Sequence, residues 1–170
     1  MTGPHRDFLP IVLGTFILVT GYALANDQWV AAIAPGHFSM FDPHFFPFDE
    51  AWQQGLCFAV VGAGGPALAW GVLLYWMGHY GPGPMMGRRA TLLGVAGVLA
   101  LTAMLAWGLA WYAAATGKPV YPKYFYPTDE TAIFVSQTAQ LTNFVVGLGG
   151  AIVWLGGIYV WRWKNDPSAQ

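Results

Sequence analysis

The sequence has few charged residues, since Asp, Glu, Lys and Arg make up 9% of its 170 residues. An ordinary soluble domain has about 25%. The chain therefore cannot cover a water-facing surface of ordinary composition, and its 56% hydrophobic content indicates an integral membrane protein. Seven basic and eight acidic residues give a formal net charge of −1 and no basic patch that could bind a phosphate backbone. We expect no nucleic-acid partner.

Cysteine and intramembrane charge are also scarce. The single cysteine, Cys57, lies in an apolar run, which excludes a disulfide within the chain, a Cys-x-x-Cys redox motif and a cysteine-rich zinc site. No ionisable residue lies in the middle of the apolar runs described below. Proton relays, ion-coupled transporters and voltage sensors normally need such a residue there, so we do not expect primary transport activity.

Four apolar runs organise the chain: Phe8–Ala25, about Trp52–Met77, Thr91–Ala115 and about Ala132–Trp161. Each reaches or exceeds the roughly 18 to 20 residues that a helix needs to cross a bilayer core. The predicted fold class is therefore all-α, an integral membrane four-helix bundle with long outer loops, in which residues 1–170 form a single transmembrane domain. For the first run the alternative is a cleaved signal peptide, because Arg6 precedes it and Ala23-Leu24-Ala25 ends it.

The distribution of basic residues predicts the orientation, because Lys and Arg near span ends are held on the cytoplasmic side. One side holds both termini and the basic residues Arg6, Arg88, Arg89, Arg162 and Lys164, whereas Lys118 and Lys123 lie on the other. We predict a multi-pass protein of the inner, cytoplasmic membrane. Both termini are then cytoplasmic, and the loops 26–51 and 116–131 lie outside.

Two blocks of sequence recur in the same order. The matches are VVGAGG at 60–65 with VVGLGG at 145–150, FFPFDE at 45–50 with FYPTDE at 125–130, Gly71 with Gly156, and Trp76 with Trp161. Such an ordered match is typical of an internal duplication. It predicts two similar helical hairpins, with repeat unit one at about 8–78 and repeat unit two at about 91–163.

The fourth run contains polar residues on one face. Ser136, Gln140 and Asn143 follow the i, i+4, i+7 spacing of a helix, in the half nearer the outer loop. Such groups do not face lipid. They indicate hydrogen bonds between helices, a pocket for a quinone or a lipid head group, or contact with a polar helix of a partner subunit.

The outer loop 34–50 holds the residues best suited to bind a metal, namely His37, Met40, Asp42 and His44, among five phenylalanines. Imidazole and thioether ligands suit copper, and imidazole with carboxylate suits copper, zinc or non-haem iron. The second repeat has Lys123 and Tyr124 at the places of Pro43 and His44, so the loops can hold at most one such site. The alternative is an amphipathic loop whose phenylalanines contact the membrane interface or a partner.

The functional expectation combines these features. The sequence is tryptophan-rich, with nine Trp residues. It shows no self-contained catalytic constellation, and it has little soluble mass. We expect a non-catalytic accessory subunit of a larger membrane-embedded complex, such as a respiratory electron-transport, photosynthetic or membrane-oxidase complex, with other integral membrane subunits and lipid as partners. The alternatives are a copper-binding or metal-dependent redox protein using loop 34–50, and a quinone- or lipid-binding protein.

Overall fold

The computed structural model describes residues 4–41, 48–81 and 83–167, and all regular secondary structure in these residues is helical. Four helices are long and apolar enough to cross a membrane: Phe8–Ile33 (α1), Ala51–His79, Arg88–Thr116 (α5) and Thr131–Lys164 (α6). A short helix, His37–Phe41 (α2), precedes the second long helix. That helix consists of Ala51–Phe58 (α3), a π-helical segment Ala59–Ala63, and Gly64–His79 (α4). The prediction of four long apolar helices is confirmed.

Helix α1 continues beyond its predicted end. The polar residues 26–28 were expected to begin the outer loop, but the helix runs through them to Ile33. Trp29 and the apolar residues after it extend the apolar pattern, and the first helix-breaking pair is Pro35-Gly36. The predicted loop boundary at residue 26 is therefore wrong, and the connection between α1 and α3 comprises residues 34–50.

The two sequence repeats are similar at one block and different at the other. Glu50 and Glu130 precede their helices in nearly the same extended conformation, with φ of −81° and −76°. In the other block, the first copy contains the π-helical segment 59–63, whereas the second copy is part of the uninterrupted helix α6. Pro66, which has Ala151 as its counterpart, explains this difference, because proline lacks an N–H group and crowds the carbonyl four residues earlier.

The long helices pack as two antiparallel pairs. α1 packs against α3 and α4, and α5 packs against α6. Glycines allow close approach in both pairs: a Cβ added at Gly71 would lie 2.9 Å from Val12 Cα, and one added at Gly150 would lie 2.8 Å from Val98 Cγ1. Between the pairs, α1 contacts α5 and α4 contacts α6. The pairing has the connectivity of two hairpins, and the duplication itself stays a prediction.

The helices have two distinct ends. The end that holds residues 4–7, 80–81, 83–87 and 165–167 is here called the terminal end. The end that holds residues 34–41, 48–50 and 117–130 is called the loop end. At the terminal end, Asp7 contacts His79. At the loop end, α1 and α3 approach each other closely near Asp27 and Gly55.

Candidate functional site

The polar face predicted on α6 lies at the loop end, and all three of its residues hydrogen-bond to side chains of the first hairpin. The pairs are His37 Nδ1 with Ser136 Oγ at 2.9 Å, Gln140 Nε2 donating to Asp27 Oδ1 at 2.7 Å, and Tyr22 Oη donating to Asn143 Oδ1 at 2.6 Å. Ser136 and Gln140 are buried. The face therefore joins α6 to α1 and α2.

The connection between α5 and α6 engages the remaining polar residues of this part of α6. The bonds are Gln137 Nε2 to the Phe125 carbonyl at 3.2 Å, Tyr126 Oη with Thr138 Oγ1 at 2.8 Å, and Tyr121 Oη with Thr142 Oγ1 at 2.8 Å. Thr142 Oγ1 donates to the Thr138 carbonyl, so Tyr121 is the donor in its pair. The polar side chains from Ser136 to Asn143 thus all have partners within the chain.

Asp27 is the central residue of this cluster. Its side chain is 3% exposed, and its Oδ1 accepts hydrogen bonds from Gln140 and, at 3.1 Å, from Asn26 Nδ2. Asn26 is 1% exposed, and its Oδ1 has no hydrogen-bond partner in the part of the chain that the structure describes. The ion pairs among the described residues join other carboxylates to His79 and Lys123, so none of them reaches Asp27.

His37 is positioned by the packing of α2. The neighbouring Phe38 is 2% exposed and packs against Phe58 with ring centroids 5.5 Å apart, which holds the short helix against the first hairpin. Ser136 Oγ donates to the Ile133 carbonyl at 3.3 Å, so in its bond with His37 the imidazole Nδ1–H is the donor. Burial lowers the pKa of His37 from 6.5 to about 4, because it disfavours the charged imidazolium.

The predicted metal ligands are only partly described. His37 points to Ser136, whereas Met40 is 39% exposed, and Asp42 and His44 lie outside the described residues. Within residues 4–41, 48–81 and 83–167, no group of three or more His, Cys, Asp or Glu side chains could hold a metal ion. The four-residue copper site stays a prediction.

A second polar centre occurs at the terminal end, where Arg162 is 4% exposed. Its guanidinium group donates to five backbone carbonyls of α4 and the following connection: Met77 at 2.7 Å, Gly81 at 2.8 Å, Pro84 at 3.1 Å, Gly83 at 3.3 Å, and Tyr80. The positive charge lies beside the C-terminal end of α4, where helix carbonyls lack partners in the helix. Arg162 therefore closes the connection between the two hairpins.

The sequence-based analysis missed Tyr22, Asn26 and Asp27. Part of their signal was present, because Tyr22 and Asn26 lie four residues apart and so share a helix face, and Asp27 follows directly. By hydropathy alone, the polar triplet 26–28 predicts the end of a membrane span. Arg162 had served only to predict orientation, since sequence does not show which carbonyls a basic side chain reaches.

No protein-family model matches the chain, and comparisons with characterised proteins and with solved structures also find no match. The functional argument therefore depends on the residues described above.

Proposed function

We propose that the chain is a non-catalytic accessory subunit of a larger membrane-embedded complex, of respiratory, photosynthetic or membrane-oxidase type, to which it contributes assembly and stability contacts. The observation that carries this proposal is the use of the α6 polar face. Ser136, Gln140 and Asn143 are bonded within the chain, so they favour a structural role. A quinone or lipid head group would have to displace those bonds to occupy the same face.

The outer surface of α6 supports a partner in the membrane. Only 6% of its most apolar stretch is buried within the chain, compared with 17 to 22% in the other long helices. Gly149 and Gly156 lie seven residues apart on exposed surface, and a Cβ added at either would meet no atom within 4 Å. Small residues on a membrane helix allow a second helix to approach its backbone closely. Integral membrane subunits and lipid fit this surface.

The proposed arrangement in the membrane follows the distribution of basic residues. The terminal end, which carries Arg88, Arg89 and Lys164 on exposed surface, faces the cytoplasm, and the loop end faces outward from an inner membrane. The two hairpins are proposed to be duplicated units, on the basis of the recurring sequence blocks. A partner that covers the loop end and the glycine-containing face of α6 would bury more than about 1,000 Å² in total.

The test is extraction of the full-length protein from its native membrane in mild detergent, followed by native mass spectrometry. We expect the 18.4 kDa chain in a larger assembly that contains other integral membrane chains. Gly156→Leu adds a large side chain on the exposed face of α6. It should release the chain from the assembly while its own fold persists. Gly97→Leu, on an exposed and equally open position of α5, is the matched control. Recovery of the unmodified chain as a monomer after gentle extraction would contradict the proposal.

A further inference from the structure

Asp27 presents a chemical problem that an assembly role does not explain. The carboxyl group is almost fully buried within a helix apolar enough to cross a membrane, and no basic side chain forms an ion pair with it in the part of the chain that the structure describes. An isolated carboxylate in such surroundings is strongly disfavoured. Ionisable residues inside membrane segments are rare, and they commonly mark a functional site.

We propose that Asp27 is a reversible proton-binding site, and that the amide oxygen of Asn26 accepts the hydrogen bond of the bound proton. In the protonated form, Oδ1 of Asp27 still accepts from Gln140 and Asn26, while its new O–H group becomes a donor. Asn26 Oδ1 is a buried acceptor that lacks a donor among the described residues. Adding one proton to the carboxylate therefore removes both the unpaired charge and the unsatisfied oxygen.

A proton fits this site better than a metal ion. Hard cations such as Ca²⁺ and Mg²⁺ take about six or more oxygen ligands, whereas a proton on a carboxyl group needs one acceptor. The carboxyl group of Asp27 already faces two N–H donors, which repel a cation at Oδ1. The single unsatisfied acceptor on Asn26 matches the requirement of a proton.

Few titratable groups of the described residues lie around Asp27. On α1 the nearest is the phenol of Tyr22, which donates to Asn143. The elements that pack against this part of α1 contribute His37 from α2, Cys57 from α3, and Tyr121 and Tyr126 from the connection between α5 and α6. Helix α6 contributes Ser136, Gln140 and Asn143, none of which titrates. Burial keeps His37 neutral down to about pH 4, so among the described residues His37 does not account for proton uptake at mildly acidic pH.

The experiment is infrared difference spectroscopy of the full-length protein in phospholipid vesicles, with Asp27→Asn as the reference. We expect a protonated carboxyl band in the wild-type protein only, at mildly acidic pH where a solvent-exposed carboxyl group is already ionised, and its reversible loss as the pH rises. Gln140→Leu removes a donor to the carboxylate and should tighten proton binding about tenfold, which moves the midpoint to higher pH. Asn143→Leu is the matched control, because it lies on the same face but bonds to Tyr22, and it should leave the midpoint unchanged.

Three results would overturn the inference: no band difference between wild type and Asp27→Asn at mildly acidic pH, a midpoint that depends on sodium concentration, or equal shifts in the two α6 variants. If Asp27→Asn fails to fold, the comparison of Gln140→Leu with Asn143→Leu still decides the question. None of these results affects the subunit proposal, which is tested by native mass.

Discussion

The two hairpins are joined by different kinds of hydrogen bond at the terminal end and at the loop end. At the terminal end one side chain, Arg162, donates to backbone carbonyls of the connection from α4. At the loop end matched side-chain pairs join α6 to α1 and α2, as with Tyr22 and Asn143 or Asp27 and Gln140. The hydrogen bonds of the terminal end thus depend on one side chain, and those of the loop end depend on pairs.

This difference has consequences for stability. Backbone acceptors persist whatever residues occupy the connection, so the hydrogen bonds of the terminal end are lost through a change at Arg162 or at a closely approaching glycine. A side-chain pair is lost when either member changes, but each such bond contributes modestly, because groups in apolar surroundings find other partners when the helices separate. The terminal end should therefore show a few large effects and the loop end several small ones.

Arg162→Met should have the largest effect. The substitution keeps an apolar stem but removes five charge-assisted hydrogen bonds, and we expect the free energy of unfolding to fall by about 3 kcal/mol or more. Denaturant unfolding in detergent micelles, followed by tryptophan fluorescence, measures the change. Arg89→Met, at an exposed position at the start of α5, is the control and should change stability by less than about 0.5 kcal/mol. Equal effects of the two would contradict the role of Arg162.

Acid should weaken the loop end through His37. Because burial lowers the pKa of His37 from 6.5 in the unfolded chain to about 4 in the folded one, its contribution is complete above pH 6.5. It is lost as the pH falls toward 4, since the unfolded chain takes up the proton first, and the loss should reach up to about 3 kcal/mol. The free energy of unfolding, measured for wild type and His37→Gln across this pH range, isolates the contribution of His37. An unchanged difference between the two proteins over the range would refute it.

Two glycines in the connection after α4 test the close packing at the terminal end. Gly81 and Gly83 both have positive φ, at 91° and 88°, so alanine strains the backbone by about 1 to 2 kcal/mol at either position. A Cβ at Gly83 would also collide with the carbonyl oxygen of Arg162, whereas one at Gly81 meets nothing within 4 Å. Gly83→Ala should therefore be the more destabilising, by a further 1 kcal/mol or so. Equal losses of unfolding free energy in the two variants would contradict the close contact between Gly83 and the carbonyl group of Arg162.

The four long helices were predictable because long apolar runs have few other stable forms in a chain with so little charge. Three of the runs end within a few residues of the helices in the structure. The exception is α1, where Asn26 and Asp27 are buried and hydrogen-bonded inside the bundle. A hydropathy pattern counts every polar residue against a membrane span. It contains no information about a hydrogen-bond partner on another helix.

The candidate site was predictable on one helix only. The spacing of Ser136, Gln140 and Asn143 follows from helix geometry, so their common face could be read from the sequence. Their partners lie on other helices, and the separation along the chain reaches 121 residues for the pair of Tyr22 and Asn143. Periodicity carries no information about such pairing. The copper prediction at loop 34–50 depends on Asp42 and His44, which lie outside the described residues.

The claim that the α6 polar face is closed by α1 is tested most directly by a double-mutant cycle. Tyr22→Phe and Asn143→Leu should each destabilise the protein, and their combined effect should fall short of the sum by about 0.6 kcal/mol, and by no more than about 1.7 kcal/mol. Tyr22→Phe with Thr142→Val should be additive, because Thr142 bonds to Tyr121 instead. A measured coupling between Tyr22 and Asn143 confirms that the face is used within the chain. Strict additivity of that pair would contradict the account and leave the face open to a ligand.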